Sequence, residues 1–261
     1  MKQIGKNLFT TALYLIAFLC IQLGTNIIGA VIWPDLLTNP TAMIITFAVS
    51  SAITIIVFAL AQWSPFDRTY LRSNPWVVLF WVLLLSLGTL IPSLALEDWL
   101  EIDMAEQYKQ MFEQLMSRRE GYFVVGLLVP LAEEMVFRGA ILRLLLKSFN
   151  NHRHWIPIIL SAILFAVVHG NEAQMLHAFL LGILLGWLYY CTDSIVPGVV
   201  LHWVNNSVAF AVTNIMPQWN DAKLIDIFGT QQNVWLAVLF SLFIFIPSLW
   251  QIAIRTKKNN P

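Results

Sequence analysis

Eight apolar runs, each about as long as a membrane-crossing helix, place the strongest constraint on this chain. They lie near residues 8–32, 41–63, 76–96, 121–147, 155–171, 174–191, 194–216 and 233–254. A helix needs about 20 apolar residues to cross a bilayer, and it satisfies its own backbone hydrogen bonds in lipid. Only 11% of the residues are charged, against a usual share of about a quarter. The sequence therefore predicts an all-α polytopic membrane protein of about eight transmembrane helices.

Basic residues in the loops indicate which helix ends share a side, because cytoplasmic loops are enriched in lysine and arginine. These residues cluster at both termini, after span two and around the end of span four: Lys2, Lys6, Arg68, Arg72, Arg143, Lys147, Arg153, Arg255, Lys257 and Lys258. With an even number of spans, all of these basic residues lie on the same side of the membrane. We therefore expect a multi-pass protein of the plasma (inner) membrane with both termini in the cytoplasm.

The overall charge narrows the choice of partners. The 15 basic and 15 acidic residues cancel, so there is no electrostatic basis for binding nucleic acid. No internal repeat is visible, and residues 1–261 are predicted to form a single membrane domain with the lipid bilayer around it. Between spans three and four, EDWLEIDMAEQYKQMFEQLMSRRE spaces Trp99, Met104, Tyr108 and Phe112 at helical steps among charged residues. This pattern predicts an interfacial amphipathic helix before the fourth span.

Span four contains charged residues that a bilayer helix normally excludes. Glu134 and Arg138 are four positions apart, so they share a helix face and can neutralise one another. Glu133 points about 100° away from that pair and has no basic residue within reach on its own helix. Pro130 lacks a backbone N–H, which leaves a carbonyl free where a cavity could reach the chain. The sequence therefore predicts a polar pocket beside Glu133.

Two later spans supply further polar side chains at helical steps. Phe165 and His169 are four apart in span five, and His202 and Asn206 are four apart in span seven. A carboxylate in a dry pocket can deprotonate a water, imidazole can hold or donate a proton, and an amide can donate to an oxyanion. Glu133, His169 and His202 could equally bind a catalytic zinc. The cofactor is therefore zinc in one interpretation and absent in a metal-free interpretation.

The three motifs EEMVFR (133–138), FAVVH (165–169) and HWVNN (202–206) resemble those of the CaaX prenyl endopeptidase and bacteriocin-processing (CPBP, or Abi) family of intramembrane proteases. All three occur in family order within spans four to seven. The resemblance implies an endopeptidase that cleaves a protein or peptide substrate at the membrane, with residues 121–216 as its catalytic core. It also raises a role in bacteriocin processing or self-immunity.

Residue roles follow from that resemblance. It implies that Glu133 is the catalytic carboxylate and that His169 activates water with it. His202 and Asn206 would stabilise the oxyanion. Glu134, Arg138 and Phe165 would support the site, with Arg138 anchoring Glu134.

Two other classes of function fit an intramembrane cluster of glutamate and histidine. One is a transporter or proton relay, and the other is a binding scaffold whose site is not used for catalysis. Transporters commonly show paired broken helices in two related halves, which this sequence lacks. The remaining polar residues favour structural roles. His177 is interpreted as a satisfied core histidine, Asn171 and Asn205 as packing amides, and His152 and His154 as residues facing water and headgroups.

Overall fold

In this computed structural model, the described residues are 2–65, 69–102, 104–149, 153–220 and 222–256. Arg68, His152, Lys257 and Lys258, which entered the sequence predictions, lie outside them. In chain order the α-helices are α1 (Lys2–Ile32), α2 (Pro40–Leu60), α3 (Thr69–Arg72), α4 (Trp76–Leu100), α5 (Glu106–Met116), α6 (Arg119–Tyr122), α7 (Val129–Glu134), α8 (Arg143–Leu146), α9 (Trp155–Val167), α10 (Glu172–Thr192), α11 (Val196–Ile215), α12 (Leu224–Phe228) and α13 (Gln231–Arg255). No strand occurs among these residues.

Helix α7 lies in the middle of a longer helical run. π-helical segments at Phe123–Leu128 and Met135–Leu142 join α6, α7 and α8. We call this run, residues 119–146, the motif helix because it contains Glu133 and Glu134. A helix lies at each of the eight predicted spans, with the motif helix as the fourth, so the all-α polytopic fold is confirmed.

Helix length and composition divide these eight spans into two groups. Five helices are long and apolar enough to cross a membrane: Gln3–Ile32, Pro40–Leu60, Trp76–Leu100, Glu172–Thr192 and Gln231–Arg255. The other three are the motif helix, the 13-residue α9 and the 20-residue α11. Helix α9 is apolar but shorter than a full span. These three helices and the residues just after α9 carry the sequence motifs.

Capping residues mark where several of the long helices begin and end. The side chain of Asn39 accepts from Ala42 N at the start of α2, and Asn171 accepts from Gln174 N at the start of α10. Such caps satisfy backbone N–H groups that have no partner inside the helix. Asn171 is thus a helix cap rather than the packing amide predicted. Helix α10 ends at Asp193 in the left-handed conformation, with φ 50°.

The predicted amphipathic helix is present but shorter than the sequence suggested. Trp99 belongs to the end of α4, because Glu101 adopts the left-handed conformation, with φ 53°, and ends that helix. Met104 precedes α5, which begins only at Glu106. Leu115 at the end of α5 packs into a buried cluster with residues of α2. The hydrophobic stripe of α5 therefore contacts the protein interior in part.

Contacts between loops show which helix ends lie together. Asn7 near the start of α1 donates to Ser148 after the motif helix, at 2.8 Å. Arg143 donates to the carbonyl of Trp63 after α2, also at 2.8 Å. A cavity on this side joins the residues before α4 to the ends of α10 and α13. The helix ends that the sequence assigned to one side are therefore neighbours in space.

Close contacts between α9 and α10 help to form the core. A Cβ added at Gly182 of α10 would lie 3.0 Å from Ala162 of α9, so these two helices pack closely. Phe137, Phe165 and Leu185 are fully or almost fully buried between them. His154 stacks on Tyr190 with ring centroids 4.1 Å apart and is only partly buried.

Candidate active site

Glu133 and Glu134 are adjacent in sequence but occupy different environments. Arg138 donates from Nη1 to Glu134 Oε1 at 2.7 Å, and both side chains are completely buried. This confirms the predicted pairing across one helical turn. The Glu133 side chain retains 15% of its accessible surface. Of the two carboxylates, Glu133 is thus the one a small molecule can approach.

Arg138 is held by three neighbouring groups. Besides Glu134, its Nη2 donates to the carbonyl of Gly182 at 3.2 Å, and its guanidinium lies 4.4 Å from the centroid of the Phe165 ring. Gly198 of α11 faces the other oxygen of Glu134, where a Cβ would collide with it. A buried ion pair requires such additional contacts, because both charges have lost their hydration.

His202 brings α11 against both glutamates. Its Nε2 lies 3.7 Å from Glu133 Oε2, and its Nδ1 lies 3.6 Å from Glu134 Oε1. Both distances are longer than a hydrogen bond. The ring is 4% exposed and packs edge-on against Phe165, with centroids 5.8 Å apart. The basic partner that Glu133 lacks on its own helix is therefore supplied by another helix.

His169 follows the end of α9 and packs edge-on against Phe165. The two ring centroids are 4.9 Å apart. Nδ1 of His169 lies 2.8 Å from the carbonyl oxygen of Phe165. A carbonyl only accepts hydrogen bonds, so Nδ1 bears the hydrogen and Nε2 of the neutral ring keeps its lone pair. This tautomer suits a group that accepts a proton or holds a water.

Asn206 is anchored to the motif helix by a carbonyl that Pro130 leaves free. Val129 N–H donates five residues back, to Val124 O. The next such bond would join residue 130 to Val125 O, but proline has no N–H. Asn206 Nδ2 donates to Val125 O instead, at 2.9 Å. The carbonyl predicted from Pro130 is therefore present and is occupied by a side chain of the predicted site.

Glu133, His169 and His202 do not form a preformed metal site. Within the described part of the chain, no group of three or more His, Cys, Asp or Glu side chains is arranged to hold a metal ion. Phe165 packs edge-on against both histidine rings. The zinc interpretation of these residues thus does not fit their arrangement here.

The sequence interpretation missed three residues that adjoin the predicted site. His177, predicted to be alone on an apolar face, contacts Glu97 of α4 at 3.0 Å and Asn205 of α11 at 3.2 Å. Asn205 in turn donates to Asn206. These residues lie on three different helices, so no spacing in the sequence connects them. The sequence signal that could have found them was the presence of an acid, Glu97, and a histidine, His177, in otherwise apolar helices.

Comparison with known proteins locates the resemblance in the same region. Residues 120–208 match the family described as Type II CAAX prenyl endopeptidase Rce1-like. The UPF0177 protein YxdF of Lactococcus lactis is 28% identical over 81 residues, which cover 31% of this chain and 42% of that protein. No solved structure matches the chain. The matched residues contain Glu133, His169, His202 and Asn206, so the region that carries the predicted site is the region similar to the Type II CAAX prenyl endopeptidase Rce1-like family.

Proposed function

We propose that this protein is an intramembrane endopeptidase in which Glu133 and His169 activate a water molecule. The observation that supports this most directly is the contrast between the two glutamates. Glu134 is sealed in an ion pair with Arg138, whereas Glu133 is partly accessible and has no hydrogen-bonded basic partner among the described residues. A carboxylate left available in a polar pocket inside a membrane protein is a functional group rather than a structural one.

The chemistry requires one water and one peptide bond. Glu133 removes a proton from a water oriented by Nε2 of His169, and the hydroxide attacks the scissile carbonyl. The second Nδ2 hydrogen of Asn206 and the His202 ring stabilise the oxyanion. Glu133 then gives the proton to the departing amine as the C–N bond breaks. The products are one new carboxyl terminus and one new amino terminus, which balances the hydrolysis.

The surrounding helices supply the conditions for this reaction. Phe165 packs edge-on against both histidines, and its ring lies 4.4 Å from the guanidinium of Arg138, so it covers that side of the ion pair. A site that admits one water and little bulk solvent strengthens each electrostatic contact within it. Residues 121–216 contain all of these groups and form the proposed catalytic core.

We propose a membrane-anchored protein or peptide as the substrate. A site in the membrane interior reaches segments that enter the bilayer or are attached to it by a lipid. The family description names prenylated CAAX proteins, and this chain is proposed to act on substrates of that class or on small membrane peptides such as bacteriocin precursors. The proposed location is the plasma membrane, with both termini in the cytoplasm.

The test is a comparison of peptide termini in membranes of cells that express wild-type protein or the Glu133→Gln variant. The expected result is a set of new termini that are present only with the wild type. A fluorogenic farnesylated CaaX peptide, assayed with purified protein in liposomes, tests the prenylated class directly. An identical set of termini in both membranes would overturn the proposal.

The zinc alternative is decided by elemental analysis of active protein. The metal-free mechanism predicts full cleavage in a sample that contains much less than one zinc per protein. Stoichiometric zinc, with activity lost on chelation and restored by added zinc, would overturn it. His202→Ala should then also lose bound metal.

A further inference from the structure

A line of polar side chains crosses three helices and ends at Asn206. Glu97 Oε1 of α4 lies 3.0 Å from Nδ1 of His177, and Nε2 of His177 lies 3.2 Å from Asn205 Oδ1. Asn205 Nδ2 donates to Asn206 Oδ1 at 3.2 Å. Asn206 Nδ2 donates to Val125 O at 2.9 Å. None of these hydrogen-bond contacts involves Glu133.

The carbonyl of Val125 fixes the direction of hydrogen-bond donation along this line. A carbonyl can only accept, so the amide nitrogen of Asn206 faces it and the amide oxygen faces Asn205. Asn205 must then donate with its nitrogen and present its oxygen to His177. Nε2 of His177 therefore has to bear a hydrogen. The reverse orientation of either amide would place two acceptors against each other.

This direction also determines what Glu97 must do. With a hydrogen on Nε2 of His177, the contact between Nδ1 and Glu97 holds one further proton, which belongs to either the ring or the carboxyl group. Both arrangements leave the pair neutral overall, which suits helices with few other charges. The side chains retain 29% and 20% of their accessible surface, so the pair is not sealed like Glu134 and Arg138.

We propose that Glu97, His177 and Asn205 are positioning residues that lock the Asn206 amide with its nitrogen toward the catalytic pocket. This inference rests on the proposed role of Asn206 as an oxyanion donor. If either amide could turn over, Asn206 would present an oxygen to the developing negative charge. A chain of donors also polarises the final N–H group, which strengthens its hydrogen bond to an anion.

A purely structural role predicts different behaviour. Hydrogen bonds that merely hold α4, α10 and α11 together would affect stability and would leave kcat unchanged. Positioning through Asn206 predicts instead that the rate depends on whether His177 Nε2 donates, and that the effect disappears once Asn206 is removed. The variants are chosen to separate these two outcomes.

The first experiment measures kcat and KM for a reporter peptide that the wild-type protein cleaves in liposomes. His177→Leu should lower kcat about 10-fold with little change in KM, because Asn205 becomes free to turn over and the Asn206 amide is then held by Val125 O alone. Glu97→Gln should retain most of the rate, since the new amide donates to Nδ1 and leaves the hydrogen on Nε2. The kcat of Glu97→Leu should fall toward the kcat of His177→Leu.

A double variant tests whether the effect passes through Asn206. Asn206→Ala combined with His177→Leu should be no slower than Asn206→Ala alone, because groups that act as a unit are not additive. Tyr122→Phe is the matched control. It removes a hydroxyl that bonds Ser207 and Trp203 between the motif helix and α11, and it should leave kcat within about twofold.

The second experiment does not require a substrate. Solid-state ¹⁵N NMR of histidine-labelled protein in lipid distinguishes protonated from bare ring nitrogens, and the His177 signals are assigned by their loss in His177→Leu. The expected result is a protonated Nε2 in the wild type and in Glu97→Gln. A bare Nε2 would overturn the inference, whatever the activity data show.

The outcomes also separate this inference from the proposed function. Full activity of Glu133→Gln would remove the proposed function and leave the NMR result interpretable on its own. With Glu133 required for cleavage, an additive loss in the double variant, or a lower melting temperature without a change in kcat, would show that His177 is structural.

Discussion

The two sides of the polar interior differ in how completely their charged groups are buried and paired. On the sealed side, Glu134 and Arg138 contact each other at 2.7 Å and are fully buried. On the open side, Glu133 keeps part of its surface, and the nearest basic atom of His202 is 3.7 Å away. One glutamate is therefore sealed in an ion pair, and the adjacent glutamate remains accessible. Burial and partnering, rather than residue identity, make this distinction.

Glu133→Gln should have the largest effect on the open side and almost none on the sealed side. The substitution removes the base and keeps the shape, so cleavage should fall by about 10²–10⁴-fold. The melting temperature should stay close to that of the wild type. Reporter-peptide cleavage in liposomes and thermal unfolding in detergent measure the two quantities. Retained cleavage would show that Glu133 is not required for catalysis.

Glu134→Ala should show the opposite pattern. It leaves Arg138 buried without its carboxylate, which destabilises the fold by about 3–5 kcal/mol. The measurement is unfolding or expression level, with Glu134→Ala/Arg138→Leu as the control that removes both charges and should recover part of the stability. If the single variant were stable but inactive, Glu134 would belong to the chemistry.

Asn206→Ala tests the far edge of the open side. Loss of one oxyanion donor should lower kcat by about 10²–10³-fold while KM changes little. Steady-state kinetics with the reporter peptide distinguishes this from a loss of substrate binding. A rise in KM at unchanged kcat would instead assign Asn206 to substrate binding.

Gly198→Ala measures how tightly the sealed side is packed. A methyl group there would collide with Glu134 Oε2, so the ion pair or α11 has to shift. Overpacking of this kind destabilises a protein by about 1–3 kcal/mol. Gly24→Ala on α1 is the control, because the added methyl group has open space around it. Gly170 is unsuitable because its φ is positive, at 72°. An unfolding free energy as high as that of Gly24→Ala would show that the sealed side is loose.

Pro130→Ala should have the smallest effect, and it tests the origin of the Asn206 anchor. The new N–H group can bond to Val125 O and compete with Asn206 Nδ2. Loss of one neutral hydrogen bond corresponds to a decrease in kcat of roughly 2- to 13-fold. The melting temperature should not fall, since the backbone gains a donor. An unchanged kcat would show that Asn206 holds its place without Val125.

Contacts within one helix could be predicted from the sequence, because helix geometry fixes which side chains share a face. The Glu134–Arg138 pair and the edge-on contact of His169 with Phe165 follow from a spacing of four residues. The amphipathic helix was predicted too long because the turn at Glu101 has no strong sequence signal. Its left-handed conformation depends on the packing of α4.

The apolar runs by themselves determined that this chain is a bundle of membrane helices, since a run of about 20 apolar residues satisfies its backbone in lipid as a helix. Only the tertiary structure decided which helices meet. The contact of Glu133 with His202 spans 69 positions of sequence and that of Glu97 with His177 spans 80. Such contacts depend on how closely α10 approaches α9 at Gly182 and α11 approaches the motif helix at Gly198, and the spacing of residues along one helix does not record that approach.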